Sequence, residues 1–157
     1  YRESYNMFIT NGILFNHESP RRGGSFVTNK IAIGAVKIKK GLADNLTLGN
    51  LDSSRDWGHA KDYVKVMWQL LQLDTPGDYV CATGISHSVR EFCSKAFEKL
   101  GMDYRDYVIQ DPRFFRPTEL NHLKGSTEKL KSAIDVNFEY NFDSMISEMI
   151  EYWMERL

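Results

Sequence analysis

Phe-Ile-Thr-Asn-Gly-Ile-Leu-Phe (8–15), running straight into Asn-His-Glu-Ser-Pro-Arg-Arg-Gly-Gly (16–24), is the stretch on which the fold turns. The first segment is apolar on both sides of a Thr-Asn-Gly centre and lacks strict alternation, which suits a strand buried on both faces in a parallel sheet. The second is polar and rich in chain breakers, so it reads as a loop at that strand's end. Beyond it, Phe26, Ile31, Ala35 and Ile38 fall on one side of a helical wheel and predict a helix over 28–40, stopped by Gly41. A short strand is expected at 46–49. Residues 56–73 carry the strongest helical signal, with Tyr63, Val66, Met67, Leu70 and Leu71 spaced by threes and fours and Asp56 as N-cap. Asp-Tyr-Val-Cys-Ala-Thr (78–83) reads as a second buried strand before Gly84. Helices follow at 88–100, capped by Ser86 or Ser88 and stopped by Gly101, then at 126–133 and 143–157, while 103–111 is ambiguous.

Alternating strands and helices define an α/β architecture. Only two strands are convincingly of the parallel type, too few for a self-sufficient doubly wound sheet. The chain also opens on Tyr1 with no Met, so it reads as a fragment whose remaining strands lie upstream.

With 157 residues the chain suits a single domain, and 42% hydrophobic against 26% charged residues excludes disorder. Lys and Arg total 20 against 21 Asp and Glu, a balance that argues against a nucleic-acid binder. No apolar run approaches the roughly 18 residues of a membrane span, so no membrane partner is expected. Cys81 reads as a buried strand residue and Cys93 as a helix-face residue, both inert; the usage fits a reducing, cytoplasmic compartment. His59, His87 and His122 show no ligand spacing, and no metal is expected.

Charge gathers in loops, where function tends to reside. After the first strand come the paired Arg21 and Arg22, whose forked guanidinium donors suit phosphate oxygens, or which pair with Glu18 in a solvated loop. Arg55 precedes the long helix, free of the Asp56 cap. Arg116 is held extended by Pro117, three residues before Glu119, as a pair able to hold a pyrophosphate and a ribose diol, or one another. Lys30, beside Asn29, opens the second helix, where backbone donors attract anions. The sequence contains no Gly-x-x-Gly-x-x-Gly turn, no Walker loop and no Tyr-x-x-x-Lys pair, so no residue is assigned to catalysis. These residues by themselves support phosphate binding.

Taken in order, Phe-Asn-His-Glu-Ser-Pro-Arg-Arg-Gly (15–23), Phe-Val-Thr-x-Lys-Ile (26–31), Leu-Gly-Asn-Leu-Asp (48–52), Arg-Asp-Trp-Gly-His-Ala-Lys-Asp-Tyr-Val (55–64), Ala-Thr-Gly (82–84), His-Ser-Val-Arg-Glu-Phe (87–92) and Arg-Pro-Thr-Glu (116–119) closely resemble the GDP-mannose 4,6-dehydratase family. These are extended short-chain dehydrogenases/reductases, and only the family's C-terminal half is matched. The resemblance implies the C-terminal part of a Rossmann-type fold, with residues 1–18 and 55–84 completing the NADP-binding domain. Residues 19–54 and 85–157 then form a small α/β lobe for the GDP-sugar. It further implies that His17 and Arg22 contact NADP and that Asn16, Glu18 and Lys30 line the GDP-mannose cleft. Arg55 and Arg116 correspond to the arginines that hold the diphosphate, and Glu119 to the carboxylate that reads the ribose hydroxyls.

The family's reaction converts GDP-mannose to GDP-4-dehydro-6-deoxy-mannose with internally recycled NADP, a step towards GDP-fucose. Its Thr, Glu, Tyr and Lys catalytic set precedes Tyr1, so this half is expected to be inert alone and to work within a homo-oligomer. Other nucleotide-sugar dehydratases, epimerases and non-catalytic nucleotide-sugar modules are the alternatives. One departure is Asn29, where the family usually carries Arg, which implies a lost cationic contact to the nucleotide or to a neighbouring subunit.

Overall fold

The computed structural model describes residues 1–115, 118 and 120–157. Strand β1 (Asn11–Leu14) and strand β6 (Asp78–Cys81) lie side by side in parallel, Asn11 opposite Asp78 and Leu14 opposite Cys81. Phe15 N–H then donates to Cys81 O at 2.9 Å, and the chain leaves this pair for another. Strand β2 (Asn16–Glu18) runs parallel to β5 (Trp57–His59). Strand β3 (Leu46–Leu48) runs parallel to β8 (Val108–Gln110), and β4 (Ser54–Arg55) is antiparallel to β7 (His87–Ser88). The architecture is α/β, as the alternation of elements predicts. Parallel pairing is commoner than two strands, because six of the eight short strands among the described residues take part in it.

Strand β1 is not buried on both faces. Among the described residues it pairs with β6 alone, and Ile13 is 53% exposed. The short helix α1 (Arg2–Tyr5) secures this edge through Arg2, whose guanidinium meets Asp78 Oδ1 at 2.7 Å.

Two hydrophobic cores follow from the helix faces. In the larger, α2 (Val27–Lys39) is enclosed by α4 (Val89–Glu98) and α6 (Phe142–Arg156). Ile31, Ala32, Ala35 and Val36 are inaccessible to solvent, and the two alanines let Phe92, Phe97, Ile146 and Met149 approach the α2 backbone closely. In the smaller core, α3 (Ala60–Leu70) lays Tyr63, Val66 and Leu70 on Tyr79 and Cys81 of β6, and Leu130 of α5 (Glu128–Ala133) closes it. Gly41 and Gly101 both take φ 70°, the left-handed conformation expected of helix stops. Ser88 is the cap of α4, accepting from Glu91 N–H at 3.0 Å.

Helix α3 begins later than its sequence suggests. Residues 54–55 and 57–59 form two strands on either side of Asp56, and the N-cap is His59 rather than Asp56. Asp56 is 1% exposed and its carboxylate works at long range. Oδ1 accepts from Thr83 N–H (2.8 Å) and Thr83 Oγ1 (2.6 Å), while Oδ2 accepts from Gly84 N–H (2.9 Å) and Gly125 N–H (3.2 Å). Local and distant donors compete for the same side chain, and the buried distant ones win because nothing else can satisfy them. The ambiguous 103–111 segment resolves into a 3-10 turn at Tyr104–Asp106 followed by β8.

His59 Nδ1 accepts from Lys61 N–H at 3.1 Å, so Nε2 carries the proton and donates to Glu148 Oε2 of α6 at 2.6 Å. Its ring stacks on Tyr140, centroids 3.7 Å apart. Burial is the main cause that pushes the imidazole below its ordinary range, outweighing the upward pull of Glu148. The folded state therefore binds fewer protons than the unfolded chain below pH ~6.5, where a free histidine titrates. Stability from this group is complete above that pH and declines as pH falls, with a slope of at most about 1.4 kcal/mol per pH unit for one proton. Thermal unfolding at pH 7.5 and 5.5 should show the loss, and His59→Asn, which keeps a capping acceptor, should flatten it.

Candidate functional site

After β2 the chain turns through 19–26 before entering α2, and this turn forms one wall of a cleft of about 570 Å³, a size typical of ligand sites. The opposite wall comes from the turn after β3 (Gly49 and Asn50) and from Phe114. The floor comes from Ser53, Arg55, Trp57 and Val89. Gly49 is required where it stands, since a Cβ there would come 2.7 Å from the Phe114 carbonyl oxygen. Trp57 is held by stacking on Phe142 and edge contact with Phe92, so the floor is an extension of the larger core.

Three cations reach this cleft from separate elements: Arg22 from the turn, Lys30 from α2 and Arg55 from β4. No carboxylate is among the described lining residues. Lys30 Nζ donates to Thr47 O at 2.7 Å and stands 5.2 Å from the Phe114 ring centroid. Arg55 Nη1 donates to Ser54 O at 2.9 Å. Arg22 lays its guanidinium on the Phe26 ring, 3.6 Å from the centroid. Cationic side chains beside Phe26, Val27, Leu48, Trp57 and Val89 suit an anion attached to a planar or apolar group.

The sequence-predicted residues do not all meet at the cleft. Asn16, Arg22, Lys30 and Arg55 come together in the cleft, while Arg21 is exposed outside it. Glu18 corrects its expected place, because it is 2% exposed and does not line the cleft. It shares a face of β2 with Asn16 but is covered by its partners: Oε2 accepts from Thr28 Oγ1 at 2.6 Å and faces Arg22 Nε at 3.4 Å. Burial raises its pKa, against the lowering effects of Thr28 and Arg22. The two readings of the loop therefore coexist: Arg22 pairs with Glu18 through Nε and stands at the cleft as well.

His17 lies on the other face of β2. Its ring sits 5.4 Å from that of Tyr63 and its Nδ1 is 2.8 Å from Phe15 O, so it does not share the cleft with Arg22. Asn29 is 1% exposed and bonded to Arg22 and Trp153. Arg116 and Glu119 lie outside the described residues. Phe26, Asn50, Ser53, Val89 and Phe114 are cleft residues that the sequence did not announce; the Gly49-Asn50 turn beside a strand end was the available signal.

Burial pushes the thiols of Cys81 and Cys93 up to about 12, which leaves both unreactive in the folded state. Among the described residues no group of three or more His, Cys, Asp or Glu side chains could hold a metal ion, and no helix is long and apolar enough to cross a membrane.

Parallel strand pairs, helices packed on them and a cation-lined cleft beside a strand's carboxyl end are the features of an extended short-chain dehydrogenase/reductase of Rossmann type. The same fold is found in RMD from Pseudomonas aeruginosa complexed with NADPH (TM-score 0.91, 23% identity, 99% of this chain and 52% of that one). It recurs in dTDP-glucose 4,6-dehydratase from Bacillus anthracis in complex with NAD (TM-score 0.82, 16% identity, 99% and 48%). The family model described as GDP-mannose 4,6 dehydratase matches residues 1–149, and the chain belongs to that family. It is 47% identical to GDP-mannose 4,6 dehydratase 1 of Arabidopsis thaliana over 99% of this chain and 43% of that protein. To the Homo sapiens GDP-mannose 4,6 dehydratase it is 45% identical, over 96% and 45%. The chain thus spans less than half the length of these curated relatives.

Proposed function

We propose that this chain is the sugar-nucleotide-binding half of a GDP-mannose 4,6-dehydratase, taking GDP-mannose as substrate and NADP as cofactor. The observation that carries the proposal is the convergence of Arg22, Lys30 and Arg55, from three separate elements, on one cleft. A diphosphate fits that charge, and the apolar side chains beside it fit the base and sugar. Arg55 is the floor cation of the diphosphate site, and Arg116 and Glu119 complete it by sequence resemblance. Residues 1–18 and 55–84 belong with the cofactor-binding domain, and 19–54 and 85–157 with the substrate lobe.

The residues present fit the margin of a nicotinamide dinucleotide site. His17 stands at the carboxyl end of the β1–β6 pair, and with Nδ1 engaged by Phe15 O it leaves Nε2 as an acceptor. When bound, the nicotinamide supplies reversible hydride acceptance, which lets C4 of the sugar be oxidised so that the C5 proton becomes acidic and water leaves across C5–C6. The contribution of this chain is to bind and orient: its cations fix the diphosphate, which sets where the hexose lies, and the Trp57 floor keeps one side dry. Two buried free cysteines fit a reducing, cytoplasmic setting.

Arg55→Ala is expected to weaken GDP-mannose binding to this chain by about 1.5–3 kcal/mol, the scale of a hydrogen bond to a charged group. Titration calorimetry checks it. Equal affinity of variant and parent rules out a diphosphate role for Arg55.

A further inference from the structure

We infer that Trp153, on the last turns of α6, is a positioning residue for the anion-binding Arg22, acting through Asn29; the inference rests on the sugar-nucleotide reading of the cleft. Trp153 Nε1 donates to Asn29 Oδ1 at 2.7 Å, and Asn29 Nδ2 donates to the Arg22 carbonyl. An indole N–H can only donate and a carbonyl can only accept, so together they permit one orientation of the buried amide between them. That orientation pins the Arg22 backbone to the first turn of α2.

The side chain is then guided by two further contacts, the Phe26 ring beneath the guanidinium and Glu18 facing Nε. Glu18 is itself fixed by Thr28, the residue before Asn29. Backbone, stem and head of Arg22 are each anchored before any ligand arrives, which lowers the ordering needed on binding. The link from α6 is the only one of these anchors that comes from outside residues 18–29. Where the family resemblance leads one to expect an arginine, Asn29 thus exchanges a charge for a relay between the C-terminal helix and the cleft.

Removing the indole N–H releases the amide. A flipped Asn29 would set its oxygen against the Arg22 carbonyl, and the 19–26 turn would lose its fixed register. Trp153→Phe keeps an aromatic ring in place and deletes the donor. Asn29→Leu keeps the buried volume and deletes both bonds.

The test is calorimetry with GDP and GMP on the whole chain, in the parent and in an Arg22→Ala background. Arg22→Ala is expected to weaken GDP binding about tenfold, and Trp153→Phe or Asn29→Leu three- to tenfold. Each of the latter two should lower the GDP-over-GMP preference and add nothing once Arg22 is gone. If Arg22→Ala binds GDP as tightly as the parent, the phosphate role of Arg22 fails and the inference fails with it. If Arg22→Ala weakens binding but the Trp153 and Asn29 variants bind normally, the inference alone is overturned. It is equally overturned if their loss persists undiminished beside Arg22→Ala, since Trp153 then acts through general stability. Should Trp153→Phe not fold, Asn29→Leu carries the same outcomes.

Discussion

Asp56→Ala is expected to lower the unfolding free energy by about 3–5 kcal/mol, a large share of the 5–15 kcal/mol that holds a typical domain together. Its carboxylate accepts from four donors, three of them backbone N–H groups of Thr83, Gly84 and Gly125. None of those N–H groups belongs to a helix or strand, so alanine leaves them without a partner. Each buried donor so stranded costs about 1–3 kcal/mol, less where water can enter. Asp56→Asn separates the contributions of shape and chemistry, because one oxygen is retained while an NH₂ faces two donors. It should fall between parent and alanine. Denaturant unfolding at constant m-value measures both. A loss under 1 kcal/mol for Asp56→Ala would show that the loops after β6 and before α5 are held by something else.

Gly125→Ala is expected to destabilise the chain by about 3 kcal/mol. A methyl group there would come 2.3 Å from Ala82 Cβ and 3.2 Å from Val80 Cγ1, with Phe15 Cε2 at 3.4 Å behind them. Neither Ala82 nor the backbone carrying it can swing away, so the segment at 125 must lift off β6. Overpacking alone is worth ~1–3 kcal/mol. Lifting also withdraws Gly125 N–H from Asp56, which joins the two effects. The Asp56→Ala, Gly125→Ala double variant should accordingly lose less than the sum of the two single losses, a coupling that thermal unfolding can read.

The helices were legible because their faces repeat by threes and fours: Tyr63, Val66 and Leu70 of α3 announce themselves in the sequence and are buried in the fold. Gly41 and Gly101 were legible because a left-handed stop needs glycine. Strands β2, β4, β5, β7 and β8 were not, β2 having read as loop, for a run of two or three residues shows no period and its partner is far away, as Arg55 is from His87. Asp56 misled for a related reason, since a carboxylate before a helix reads as a cap whether or not distant donors claim it.

In the cleft, Asn16, Arg22, Lys30 and Arg55 could be picked out because charge in loops is conspicuous. Phe114 could not, because an exposed aromatic carries no pattern until another chain segment meets it, and Phe26 read instead as part of the apolar helix face although it is the exposed N-cap residue. Glu18 looked like its neighbours in sequence, and only its contacts with Thr28 and Arg22, made through a later chain segment, bury it. Asn29 was noticed for the arginine it replaces, while its partner Trp153 lies at the other end of the chain.

Cys81 and Cys93 sit one in each hydrophobic core, the first beneath α3 and the second beneath α2. The molecule therefore carries a separate built-in reporter for each half of its interior. A maleimide or iodoacetamide pulse can mark either sulfur only while the surrounding core is open. Peptide masses would then tell which half breathes first, and whether occupying the cleft quiets one half or both.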